Sequence, residues 1–489
     1  MLVGLGSVPL ALPYFGPVEY GLLAIVWSVL TYLGLINFGL PIALRAYLAA
    51  TIDRNARFGI YRTIFMTIGL VCICFIVILI EFGVSWLLPL IGGIDNELMA
   101  TAISVVFISF IMYLLAAPFL TYVEGFAGIG EVQKAKAYEI GSLLLGFLAL
   151  VAIVQFEKGL SEFFFLRGLI TLLVAIFATV HFCVRLSKIK NPDQTIRGDQ
   201  QPRLFDRDIF SILKTGAIHF STGIATMIVW HLDNLVISHL FGLEAVSQYS
   251  ITFRLITAGF LLFTAINIIV GPIYGNLHGT SNNQSLTTLF ETVITTAPML
   301  GGAVWLAAVC FVPEIVHLWA GSDGYAGIEV VLALGAYGYC LAFVHANMAL
   351  ASALNTIKLL PYIAFLEAAL NLGLSIFFAR LIGLSGIAAG TFVATMLSTL
   401  WLVPKMISRQ SDYKFTFHNS QISKHFVMCL LPLLTLGLVL RTIDFNFFLK
   451  TLAFLMVFLC YLVVSYVMIP AAAKTVMRNF FDNSRRERK

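Results

Sequence analysis

Charge is what this sequence has least of. Lys, Arg, Asp and Glu make up 11% of its 489 residues, against roughly a quarter in ordinary soluble proteins. Hydrophobic residues make up 60%, and the mean hydropathy is +0.94. So much apolar surface cannot be hidden inside a water-soluble fold. A soluble enzyme, a secreted disulfide scaffold and a disordered chain are excluded. Alternating ten-residue strands are missing too. The apolar runs are about 20 residues long, which implies an all-α integral membrane protein rather than a β-barrel. The polar segments lack cysteine: Cys72, Cys74, Cys183, Cys310, Cys340, Cys429 and Cys460 all lie in apolar runs. They read as free thiols packed as small hydrophobes. Metal-ligand spacings, nucleophile–base pairs and phosphate-cradling Gly loops are absent. No cofactor, no metal and no enzymatic activity are therefore expected. The net charge of +5 does not point to nucleic acid, because the basic residues are spread through short connections. The first run ends in Phe15-Gly16-Pro17, which reads as a helix end and not as a small-residue cleavage site.

What is there is a series of fourteen apolar runs, from 2–15 to 447–471. An even number puts both termini on one side of the membrane. Six connections plus the tail, beginning with 50–63, hold 23 of the 30 Lys and Arg. The alternate connections hold only Lys158, Arg380 and Arg441. The positive-inside rule makes the first set and the C-terminus cytoplasmic. The outer loops are short. The first run, about 14 residues or roughly 21 Å, is shorter than the ~30 Å hydrocarbon core. An upstream segment before Met1 is therefore expected. The organisation reads as a six-helix lobe (1–185), a cytoplasmic linker (186–211), a second six-helix lobe (212–404), a cytoplasmic loop (405–424), two further helices (425–471) and a basic tail (472–489). The tail Arg485-Arg486-Glu487-Arg488-Lys489 reads as a topology anchor, with contact to anionic membrane lipid as the alternative.

Two matches support the division. Phe15-Gly16 recurs as Phe241-Gly242, and Lys134 with Tyr138 recurs as Lys358 with Tyr362. The offsets are 226 and 224 residues. Halves with even helix numbers share one orientation, so a pseudo-twofold axis along the membrane normal is expected, as in transporters built of parallel repeats.

Several segments carry a family resemblance. Phe15-Gly16-Pro17-Val18-Glu19-Tyr20-Gly21-Leu22 resembles the start of polysaccharide-biosynthesis flippases. Asp233-Asn234-Leu235-Val236-Ile237-Ser238, followed by Phe241-Gly242 and Tyr249-Ser250, resembles their helix 7–8 signature. Leu354-Asn355-Thr356-Ile357-Lys358, then Asn371-Leu372 and Gly383-Leu384-Ser385-Gly386-Ile387-Ala388, resembles their helix 10–12 signature. These are the O-antigen and exopolysaccharide flippases of the multidrug/oligosaccharidyl-lipid/polysaccharide exporter superfamily. The resemblance implies transfer of an undecaprenyl-diphosphate-linked oligosaccharide from the inner to the outer leaflet of a bacterial inner membrane. Glycosyltransferases and a polysaccharide polymerase are the partners it implies.

Polar groups inside the apolar runs are the candidate site, since ionisable groups there cost several kcal/mol if they face lipid. His219, Thr222, Thr226, Trp230 and Asp233 form one stripe along about 20 Å of helix. The stripe either lines a cavity or packs as a polar seam. Ser250, Arg254, Thr257 and Thr264 form a matching face on the next helix. Asp233 and Arg254 either neutralise one another, or Arg254 meets an anionic headgroup while Asp233 titrates as the coupling group. Arg45, behind Asn37 and Pro41, either snorkels to the interface or contacts the diphosphate, which a guanidinium suits. Glu367 and Asn371, four apart, read as a seam between helices. Glu81, Glu124, Glu139 and Arg167 read as interfacial. Gly39-Leu40-Pro41 and Gly271-Pro272 read as bends. The expected function is that of a flippase working by alternating access. A multidrug exporter of the same superfamily is the first rival, and a membrane polymerase the second. The short outer loops count against the polymerase.

The charge asymmetry makes a direct prediction about topology. A phosphatase fused after Lys489 stays inactive in intact cells, and one inserted in 320–326 is active. An active C-terminal fusion would refute the topology.

Overall fold

The structure is a computed structural model that describes residues 2–51, 53–87, 96–189, 207–321, 324–410, 424–443 and 447–469. The C-terminal tail lies outside these residues, as do most of the segment 186–211 and of the loop 405–424. Everything described is helix or short connection. In chain order the α-helices are α1 (Leu2–Leu33), α2 (Leu40–Ala50), α3 (Arg54–Leu87), α4 (Asn96–Ala116), α5 (Tyr122–Gly128), α6 (Val132–Gln155), α7 (Leu160–Lys188), α8 (Arg207–Gly279), α9 (Asn283–Ala320), α10 (Ile328–Ala353), α11 (Leu360–Ile382), α12 (Ser385–Leu397), α13 (Thr399–Gln410), α14 (Leu431–Thr442) and α15 (Phe447–Met468). Eleven stretches among the described residues are long and apolar enough to cross a membrane. Two of them join two helices across a glycine kink, and several are pieced from shorter helices. Counted as passes, the described helices make fourteen, and the chain is a multi-pass membrane protein.

The loops expected at 16–21 and 242–248 shrink to one residue each. Gly16 (φ 77°, ψ 169°) and Gly242 (φ 84°, ψ 178°) are the non-helical residues inside α1 and α8. Those dihedrals belong to a region that only glycine occupies without strain. Two positions 226 residues apart thus share a residue, a neighbour and a backbone conformation. At the first, the chain doubles back. Gly6 meets Phe147 on α6, the Tyr14 hydroxyl donates to the Lys158 carbonyl at the α6–α7 turn, and Trp27 meets Phe164 on α7.

By internal contacts the chain divides into two compact units, Met1–Ser247 and Gln248–Lys489. In the first, the second arm of α1 runs antiparallel to the first arm of α8. Gly21 lies against the Leu243 carbonyl, the Asn234 amide donates to Ser28 (2.8 Å), and Tyr32 donates to the Met227 carbonyl (3.3 Å) and meets the His231 ring. Gly39 packs on Phe220. One partner number rises as the other falls along the whole pairing. Beneath it lies an aromatic core of Tyr61, Tyr122, Phe126 and Phe182 with Leu44 and Leu48. At the start of α6, Glu131 takes hydrogen bonds from Arg185 and Lys134. The Arg185 hydrogen bond, then Lys134, holds its carboxyl down at about 2, well below the usual carboxylate range.

The second unit is built on pairs of helices that approach through small residues, as membrane helices do. Gly386 and Gly390 on α12 sit directly on Phe378 and Ser375 of α11. The α14–α15 pair is fastened to α9 by one cation. Arg441 reaches both Glu314 oxygens (3.2 and 2.6 Å) and the carbonyls of Val309 (2.8 Å) and Cys310 (3.3 Å). Its guanidinium also lies over the Phe454 ring at 5.2 Å. Arg441 marked an outer loop in the charge count; its packing role is visible only here. Pro272 stays within helical dihedrals, so the expected bend there is no break in α8.

Removing one partner of such a pair leaves the other charge poorly solvated. Arg441→Ala should lower stability by about 3 kcal/mol, the low end for a buried pair. The check is thermal unfolding of purified protein in detergent. Arg441→Leu combined with Glu314→Leu should recover much of the loss. An unchanged Tm in the single variant would show that the pair does not fasten α14.

Candidate functional site

The sequence-derived candidates fall on both units. In the first, Asn37 ends a turn of 3-10 helix, Gly34–Asn37, after which Phe38 (φ 50°) and Gly39 (φ 72°) take left-handed conformations. The Asn37 side-chain oxygen accepts from the Gly39 N–H at 3.2 Å. Asn37 thus caps the interruption between α1 and α2 that Pro41 announces. Arg45 lies exposed on α2, with its guanidinium 3.6 Å from Glu124. On α8 the His219 side chain lies outside the described residues. Thr222 is half-buried, and Thr226 is exposed with its hydroxyl on the Thr222 carbonyl (2.9 Å). Asp233 is buried, 5% exposed, within electrostatic reach of the Tyr32 hydroxyl. In the second unit Ser250 is buried, Arg254 half-buried and Thr264 exposed, while Thr257 donates back to the Phe253 and Arg254 carbonyls. Asp233 and Arg254 belong to different units.

Glu367 and Asn371 do form a seam. Asn371 donates to Thr391 at 2.8 Å, and the two Glu367 oxygens accept from Thr395 (2.5 Å) and Thr399. Those threonines stand either side of Ser398, where the helix breaks between α12 and α13 (φ −121°, ψ −93°).

Sequence reasoning missed the feature with the clearest chemistry. The first unit holds a cavity of about 630 Å³ between α1, α4, α6 and α7, lined among others by Trp27, Leu30, Thr31, Tyr113, Phe164 and Arg167. Arg167 was expected at the interface. Instead its guanidinium donates to the Ser142 carbonyl (2.8 Å), ten residues into the 24-residue α6, and so lies near mid-membrane. Its carbon sits 5.8 Å from the Trp27 ring. Gly146 makes room for it: a Cβ there would stand 1.4 Å from a guanidinium nitrogen. The one signal in the sequence was Arg167 itself, seven residues into α7. The close approach of α6 was invisible there. The lining carboxylate, Glu139, is paired with Lys136 at 2.6 Å. The Thr31, Ser109 and Thr171 hydroxyls all donate to carbonyls of their own helices. The cavity therefore offers an apolar wall with one cation. Among the described residues no group of three or more His, Cys, Asp or Glu could hold a metal.

No family model matches the chain, and no characterised protein matches it by sequence. Solved structures do. A multidrug-resistance MATE transporter of the MOP superfamily, inward-facing, superposes with TM-score 0.69 at 17% identity, covering 85% of this chain and 96% of its own. The lipid II flippase MurJ, inward closed, superposes with TM-score 0.63 at 16% identity, over 95% of this chain and 96% of its own. The fold is that of the MOP transporters. A MOP transporter from Pyrococcus furiosus, described by the reversed polarity of its binding pocket, superposes with TM-score 0.57 at 16% identity, over 83% and 89%.

The cavity geometry makes its own prediction. Gly146→Val should drive the guanidinium off Ser142 and lower the Tm, in keeping with the roughly 1–3 kcal/mol of an overpacked core. Gly141→Val, on the same helix where a Cβ meets nothing within 4 Å, should leave Tm within error. Equal Tm values for the two variants would show that α6 does not pack on Arg167.

Proposed function

We propose that the chain is a flippase that carries an oligosaccharide linked to a lipid diphosphate from the cytoplasmic to the outer leaflet of a bacterial inner membrane. Alternating access is the mechanism. The observation that carries this reading is the reach of the fold match. The lipid II flippase aligns with 95% of the chain and the multidrug transporter with 85%. That difference, 95 − 85 = 10% of 489 residues, amounts to about two membrane-spanning helices at roughly 20 residues each. The described helices of this chain, with α14 and α15 fastened to α9 through Arg441, are consistent with a match over nearly the whole length. The flippase motifs around Gly16, Asp233 and Gly386 support the same substrate class.

In this reading Arg254 and Arg45 attract the diphosphate, since guanidinium groups suit planar bidentate contacts with phosphate. His219, Thr222, Thr226 and Ser250 face the sugar, Asn37 holds the α1–α2 interruption open, and Asp233 is the coupling group. The drive is an ion gradient or the membrane potential, worth about 2.3 kcal/mol per charge per 100 mV. The lipid tail stays in the bilayer. The second reading, a multidrug exporter, is favoured by the higher TM-score of the MATE structure.

Expression in a bacterium whose O-antigen or exopolysaccharide flippase is deleted separates the two. Restored surface polysaccharide with unchanged resistance to cationic drugs is the expected result. Arg254→Ala should abolish the restoration while membrane levels stay normal. Drug resistance without any polysaccharide would overturn the flippase reading in favour of the exporter.

A further inference from the structure

The buried guanidinium in the first unit has more hydrogen-bonding capacity than the protein uses. A guanidinium carries five N–H donors. Among the described residues Arg167 gives one hydrogen bond to the protein, to the Ser142 carbonyl, and no carboxylate lies within ion-pair distance. The Trp27 ring at 5.8 Å offers a weak cation–π attraction. That is small beside the cost of desolvating a charge. The geometry thus leaves a cation near mid-membrane waiting for an anion. The cavity beside it, about 630 Å³, is far larger than a hydrated ion needs. Most of its wall is apolar: Leu30, Met112, Leu120, Leu143, Phe164 and Met227. An anion joined to a hydrocarbon body fits both halves; a free inorganic anion fits one.

We propose that this cavity is a binding site for a phosphorylated lipid, with the phosphate on Arg167 and only the headgroup end of the chain against the apolar wall, the rest of the tail staying in the bilayer. Phosphate is preferred to carboxylate as the anion because of the flippase reading, and that choice rests on it. The Tyr113 hydroxyl, which lines the same cavity and makes no hydrogen bond among the described residues, is placed to donate to a phosphate oxygen. Gly146 is then required because the site needs the guanidinium turned into the cavity. Neither Arg167 nor Tyr113 was among the candidates drawn from the sequence.

Binding by the purified full chain in detergent, read by native mass spectrometry, tests this. The probe is geranylgeranyl diphosphate, compared with geranylgeraniol, inorganic pyrophosphate and oleate. The wild-type chain should bind the prenyl diphosphate at least tenfold more tightly than each of the other three. Arg167→Gln, which can still donate to Ser142, should weaken that binding at least tenfold, and Arg167→Lys should recover part of it. Should Arg167→Gln not fold, Thr171→Trp narrows the cavity and leaves the guanidinium, and it should give the same loss. Unchanged binding in a folded Arg167→Gln or Thr171→Trp variant would overturn the site. Pyrophosphate binding as tight as the prenyl compound would make it a soluble-anion site, and equal oleate binding would remove the phosphate assignment; either overturns the proposal. The readout is binding and not surface polysaccharide. Its failure therefore leaves the flippase reading standing, and failure of that reading leaves the binding result standing.

Discussion

Hydrocarbon gives a polar group no partner, so each one inside the membrane must find its partner within the protein. That constraint governs the whole chain. It makes every described element a helix, and it decides how a helix is allowed to stop. At Gly16 and Gly242 the interruption is compressed into a single glycine with dihedrals closed to other residues, so almost no backbone is left unpaired. At Asn37 a side-chain amide takes over for the missing helical acceptor and meets the Gly39 N–H. At Ser398 the break between α12 and α13 is flanked by Thr395 and Thr399, whose hydroxyls both turn to Glu367 on the neighbouring helix. Each interruption comes with its own local solution.

The same constraint sorts the charges. Arg441 meets Glu314, Glu131 meets Arg185 and Lys134, and Arg45 meets Glu124 at the exposed face of α2. The last two sets lie at the ends of passes, where a modest pair suffices because water is near; the Arg441–Glu314 pair is largely buried and carries more. Arg167 departs from the pattern. It sits near mid-depth, bonded to one carbonyl and resting by an aromatic ring. Natural sequences are expected to break local rules where function requires it, and the cavity beside this guanidinium is where the first unit breaks one.

Flippase and drug exporter share this architecture, so the fold alone does not choose the cargo. What distinguishes them physically is the sign and placement of the few charges a cargo would meet. A Pyrococcus furiosus transporter of the same fold is described by just such a reversed polarity. Among the described residues lining the first unit's cavity, the charge without an ion-pair partner is positive, and the carboxylate is already paired.

Membrane insertion and the number of passes were legible in the sequence, because hydropathy acts one segment at a time. The Phe-Gly repeat was legible too, since a glycine-only backbone must be encoded by glycine. That His219, Thr222, Thr226, Trp230 and Asp233 share one helix face followed from 3.6 residues per turn. What that face meets was not legible. The antiparallel pairing of Ser28 with Asn234, and the approach of Gly146 to Arg167, join residues 206 and 21 positions apart. Close packing between helices depends on shape at both surfaces, and no single run of sequence contains both. The same limit hid Arg441: a basic residue at a helix end carries the same topological signal whether it faces water or, as here, grips Glu314. Tertiary structure alone decided which of the described charges found partners.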